Sequence, residues 1–192
     1  MATKLIDSLN SQMGFPILEK EEPGQDNRKQ PPKSLKQVAI PVALAGIYQL
    51  AASEEGAKRI LEHLRNERRS LENLNAHDCL QLTFGSNEES IVNSLAEYTS
   101  STKEDTKDEL NEATRKAYLL ILQEIVSEQT KPEDITRYMV DQRHSILVHL
   151  PAELKLGHLL GDDTLDDVSN KMEGPITNLM HNLGESFSGS PR

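Results

Sequence analysis

The segment Ala117-Tyr-Leu-Leu-Ile-Leu-Gln-Glu-Ile-Val126, wound as a helix, is apolar on nearly every side. A helix of that kind has no face to turn to water, so neighbouring helices must enclose it. It closes the longest helical pattern in the chain, Thr102 to Glu128, whose first turns hold Glu104, Asp105, Asp108 and Glu109. Carboxylates at that end suit the positive pole of the helix dipole. The segment is expected to be the central helix of an all-α, multihelical orthogonal bundle. Two further observations point the same way. No stretch alternates apolar and polar residues over a convincing strand length. The ring-bearing residues that favour strands are scarce, with no Trp, three Phe and four Tyr in 192 residues.

Around that helix the pattern sets out the rest of the bundle. Leu35, Val38, Val42, Leu44, Ala45, Ile47 and Leu50 make a helix apolar on most faces, which Pro41 either begins or kinks. Ser53 caps the next helix, with Glu54 and Glu55 in its first turn and a stripe of Ala57, Ile60, Leu61 and Leu64. Cys79 to Phe84 reads as a short helix closed by Gly85, and Ser86 with Glu89 reads as a capping box for Ile91, Val92, Leu95 and Tyr98. Thr130 and Glu133 form a second such box, with Pro132 in the first turn of a helix running to Pro151. A short helix over 151–160 ends at Gly161, and a last one carries Val168, Met172, Ile176, Leu179 and Leu183, interrupted at Gly174-Pro175.

The N-terminal part is different. Leu5, Ile6, Leu9 and Met13 form one apolar stripe on a short amphipathic helix that ends at Gly14. Three turns are too few to hold in water unaided, so this helix must dock or remain nascent. Residues 19–34 carry charge, Pro and Gln with no other apolar side chain, the composition of a disordered linker. The expected organisation is therefore an arm over 1–34, a helical domain over 35–187 and a disordered tail over 188–192.

Charge and chemistry narrow the function. A net charge of −10 opposes binding driven by the phosphate backbone, which relies on Lys and Arg to displace condensed counterions. It opposes an anionic membrane surface for the same reason. No apolar run approaches the ~20 residues of a membrane span, and the opening residues have no apolar signal core. A cytoplasmic chain is expected, and the single cysteine, Cys79, fits a reducing compartment. His144 and His149 are spaced so as to face apart, and His63, His77, His158 and His181 form no ligand motif, so no metal ligand is assigned. In His77-Asp78-Cys79 the neighbouring residues point away from one another on a helix, which leaves Cys79 as a small buried side chain rather than a nucleophile. Asp162, Asp163, Asp166 and Asp167 lack the glycine and glutamate register of a calcium loop. Lys58, Arg59, Arg65, Arg68 and Arg69 are the one basic cluster, broken by Glu62 and Glu67.

Two patches carry a family resemblance. Ile40-Pro-Val-Ala-Leu-Ala-Gly-Ile-Tyr-Gln-Leu-Ala-Ala-Ser-Glu-Glu-Gly-Ala-Lys-Arg-Ile-Leu61, with its helix, small-residue turn and Glu-Gly-Ala, resembles the opening of the YidB-like bacterial proteins of unknown function. Leu156-Gly-His-Leu-Leu-Gly161, with the helix that follows to Leu183, resembles their later Gly-x-x-x-Gly element. The resemblance implies a multihelical fold and brings no catalytic residues with it. The charged helix over 102–128 and the N-terminal linker depart from that pattern.

The function expected from the sequence is a non-enzymatic helical module for protein interaction or self-association. No catalytic residue, cofactor or metal is assigned, and a small-molecule ligand is left open. Its candidate partner-binding residues are Leu5, Ile6, Leu9 and Met13, since amphipathic helices dock into apolar grooves. A DNA-associated regulator acting through Arg65–Arg69 is the alternative, and a metal-dependent enzyme built on His144, His149 or His158 comes third.

Overall fold

Capping chemistry sets most of the helix boundaries. The computed structural model describes residues 4–14, 34–67 and 76–160, and every regular element among them is helical. In chain order these are α1 (Leu5–Gln12), α2 (Leu35–Ala51), α3 (Glu54–Glu67), α4 (Ala76–Phe84), α5 (Glu88–Thr99), α6 (Lys103–Ile125), α7 (Pro132–Leu147) and α8 (Leu156–Leu160). Short 3-10 turns at Gly85–Asn87 and Ala152–Leu154 lead into α5 and α8. The fold is all-α and multihelical. The helix expected over 164–183, the tail, and residues 19–33 of the linker lie outside the described residues.

α2 starts at a capping box that the sequence reading had merged into the linker. Ser34 Oγ accepts from the Gln37 N–H (3.4 Å), and Gln37 Oε1 accepts from the Ser34 N–H (3.3 Å). Pro41 therefore lies inside the helix rather than at its start. Every residue from Val38 to Ile47 is buried. A helix enclosed on all sides is the axis of the fold, and α2 packs against each of α1, α3, α4, α5, α6, α7 and α8. This corrects the expectation that 117–126 is central. α6 lays one face on α2 and α4 and leaves Gln123 and Glu124 exposed, whereas α2 carries no charge after Lys36. α6 begins at a Thr102 cap, its Oγ1 accepting from the Asp105 N–H at 3.1 Å.

The chain turns through 115° between α2 and α3. Ser53 caps α3 as expected, its Oγ accepting from the Gly56 N–H at 3.0 Å, and Ala57, Ile60, Leu61 and Leu64 are all buried. Gly56 is what allows the corner to close, because a Cβ there would overlap the Leu50 carbonyl oxygen and lie 2.8 Å from its carbon. Gly46 plays a softer version of this part, with its open side against the Phe84 ring and Thr83 of α4. No single helix among the described residues is long and apolar enough to cross a membrane.

Two capping expectations were wrong in detail. Asn87, not Ser86, precedes α5, and it is in a helical conformation with no side-chain cap bond. Gly85 at φ +52° turns the chain out of α4 into the 3-10 turn, whose Gly85 carbonyl accepts from the Glu88 N–H. The continuing turn supplies the partners that a capping side chain would have offered. At α7, Asp134 rather than Glu133 returns to the N-cap, accepting from the Lys131 N–H at 2.9 Å. Thr130 faces backwards instead, accepting from Ser127 N–H and donating to the Ile125 carbonyl, both at 2.8 Å.

Candidate interaction site

α1 is seated in a groove formed by α2, α6 and α7. Leu5, Ile6 and Leu9 point into it and are at most 1% exposed, so the apolar stripe read from the sequence is the face that docks. Met13 packs half-buried at the edge of the same core. The core thus extends N-terminal of the boundary expected at Leu35, because α1 closes it from outside.

Polar anchors hold both ends of the short helix. The Leu5 N–H, one of the donors a helix start leaves unpaired, donates to Gln142 Oε1 on α7 at 2.9 Å. At the other end Lys116 Nζ on α6 donates to the Gln12 carbonyl at 3.2 Å, placing a cation where the helix dipole is negative. Neither Gln142 nor Lys116 is marked in the sequence. Both lie over a hundred positions from the helix they serve, and no local spacing signals them.

Glu109, two turns before Lys116 on α6, is close enough to the start of α2 for Lys36 to act on its carboxyl. Burial pushes that carboxyl above its usual range and Glu112 adds to the push, while Lys36 and Lys116 draw it down. A carboxyl raised in this way holds its proton more readily in the folded state. Its contribution to stability is therefore largest at low pH and declines as pH rises past its ordinary value of 4.5. Glu109→Gln is expected to stabilise the chain at pH 7 by a few tenths of a kcal/mol, since solvent screening keeps the effect small. The gain should vanish in urea titrations at pH 4.

The sites weighed for other chemistries fall elsewhere. Arg65 belongs to the fold: its Nη2 donates to the carbonyls of Ser127 (3.3 Å), Glu128 (3.0 Å) and Thr130 (2.7 Å), tying α3 to the loop after α6. A guanidinium so engaged is poorly placed to serve a phosphate; Arg68 and Arg69 lie outside the described residues. Arg65→Ala should lower stability by about 1 kcal/mol, read from the urea midpoint, as charge-assisted bonds at a partly wet site do.

Cys79 is fully buried, and its neighbour across the helices is His63, with Sγ 3.7 Å from Nε2. The side chains of His77 and Asp78 are outside the described ones. The His63 ring meets Tyr118 edge-on at 6.0 Å, and the Tyr118 hydroxyl is 2.9 Å from Thr83 Oγ1. Burial pushes the Tyr118 hydroxyl well above its usual range, so it stays protonated as a bond donor. Sequence spacing could not find the Cys79–His63 pair, which joins α3 to α4. With the thiol wholly enclosed, the cluster serves as a hydrogen-bonded part of the core. His149 folds back on the last turn of α7, Nδ1 lying 2.7 Å from the Ser145 carbonyl, and no set of three ligating side chains converges among the described residues. A surface cleft of ≈ 430 Å³ between α5 and α8 is lined by Glu97, Tyr98, Glu153, Lys155 and His158.

No family model, curated protein or solved structure matches this chain.

Proposed function

We propose that this chain is a non-enzymatic helical interaction module, for a protein partner or for itself, whose working element is α1 with its groove on α2, α6 and α7. The observation that carries this reading is the seating of α1. An eight-residue helix that cannot stand alone in water is docked through Leu5, Ile6 and Leu9 and joined to the domain through nineteen intervening residues, 15–33. The rest of the described surface offers little else to an apolar partner, Val140 being its one exposed large hydrophobic residue at 51%. Undocking α1 would open an apolar groove while leaving the other helices in place.

A kinship with the YidB-like proteins belongs to the same proposal. It draws on the α2–α3 corner, where the Gly of the Glu-Gly-Ala sequence has a packing reason to be glycine.

The test uses the full-length chain with Leu5→Asp and Leu9→Asp, which vacates the groove, and a fluorescent peptide of residues 4–14. Saturable peptide binding, lost when Gln142→Ala and Lys116→Glu are added, is the expected result. No binding at millimolar peptide to a variant that keeps its helical circular dichroism would overturn the reading.

A further inference from the structure

We infer that α1 exchanges between two copies of this chain, each copy seating its Leu5–Gln12 helix in the other's groove. The inference rests on the reading above that α1 and its groove form the working element. A second copy is the occupant because its fit is already displayed. Its Leu5, Ile6 and Leu9 meet the pocket that buries these side chains here, its Leu5 N–H meets Gln142, and its Gln12 carbonyl meets Lys116.

The covalent connection permits it. The seated end of α1 lies beside Lys116 on α6, and α1 packs against α2 as well. The nineteen residues between Gly14 and Ser34 can reach about 65 Å when fully extended. A helical domain of this size has a radius of gyration of about 15 Å. The connection is therefore long enough to reach a neighbour's groove as well as its own.

The same feature sets the strength of the exchange. Closed monomer and exchanged dimer contain identical α1–groove contacts, so the affinity of α1 for the groove cancels between them. What is left is the effective concentration of the tethered helix, on the order of 1 mM for a connection of this kind. The chain is monomeric at micromolar concentration and pairs as it approaches millimolar. Deleting residues 15–33 would join Gly14 to Ser34 through a single step of about 3.8 Å, which takes away the slack that lets α1 turn back onto its own groove. Pairing then becomes the favoured way to seat α1.

Sedimentation equilibrium in ~0.15 M salt, where screening over about 8 Å limits repulsion between acidic copies, tests this directly. The full-length chain is expected to dimerise with a dissociation constant within tenfold of ~1 mM. The 15–33 deletion should bind at least a hundredfold tighter, and Leu5→Asp/Leu9→Asp should abolish the dimer. Helical circular dichroism confirms that each variant is folded. A full-length chain still monomeric at several millimolar overturns the inference, as does a dimer that survives Leu5→Asp/Leu9→Asp. Peptide binding to the vacated groove with no dimer removes the exchange alone, whereas loss of both removes the underlying reading.

Discussion

Gly56→Ala is expected to lower the stability of the domain by about 3 kcal/mol, seen as a large fall in the urea midpoint. The added Cβ would overlap the Leu50 carbonyl oxygen and lie 2.8 Å from both the Leu50 carbon and Ser53 Oγ. These are backbone atoms and the cap of α3, so nothing at the corner can move aside cheaply. Alanine's better helix propensity returns only about 1 kcal/mol. Either the 115° corner opens or the Ser53 cap on Gly56 breaks, and both disturb the seating of α3 on α7. Gly46→Ala is the internal control. Its new methyl would meet the far edge of the Phe84 ring and the Thr83 methyl, side-chain atoms that can shift, so a smaller loss is expected. If Gly56→Ala cost less than Gly46→Ala, this account of the corner would fail.

Leu5→Asp/Leu9→Asp should have the second large effect, and one of a different kind. Each substitution asks a carboxylate to enter a site where the leucine is fully buried. Within a central helix, two such changes would unfold the domain. α1 can leave instead, so the loss is capped at the free energy of its docking, about 2–4 kcal/mol by comparison with single buried leucines. The expected signature is a folded domain with a lower midpoint, a far-UV signal reduced by about two turns of helix, and binding of an environment-sensitive dye to the vacated groove. Complete unfolding would show that α1 is an inseparable part of the core.

The sequence marks what is local in this fold and hides what is distant. Ser53 with Glu54, Glu55 and the Ala57–Leu64 stripe defines α3 correctly, because cap and periodicity act within a few residues. Ser34 with Gln37 is an equally local signal, overlooked because a polar serine beside a charged stretch reads as more linker. Apolar character all round marks a buried helix, but it does not say which of two such helices is enclosed. The 117–126 segment and α2 both qualify, and only packing shows that α2 touches every other described helix. The stripe of α1 was legible, whereas its partners Gln142 and Lys116 were not. The Cys79–His63 contact is hidden for the same reason, its two residues lying on different helices.

Native-state hydrogen exchange with increasing urea tests the central claim, that α1 is a separable element docked on an otherwise complete bundle. Amides of Ser8 to Met13 are expected to exchange at least about a hundredfold faster than those in the buried stretch of α2. Their opening is also expected to depend on urea more weakly than that of α2, as for an event that exposes one helix face and its groove but not the whole core. Amides of α1 that open only with the same free energy and urea dependence as those of α2 would contradict it, because α1 would then leave the core only when the whole domain unfolds.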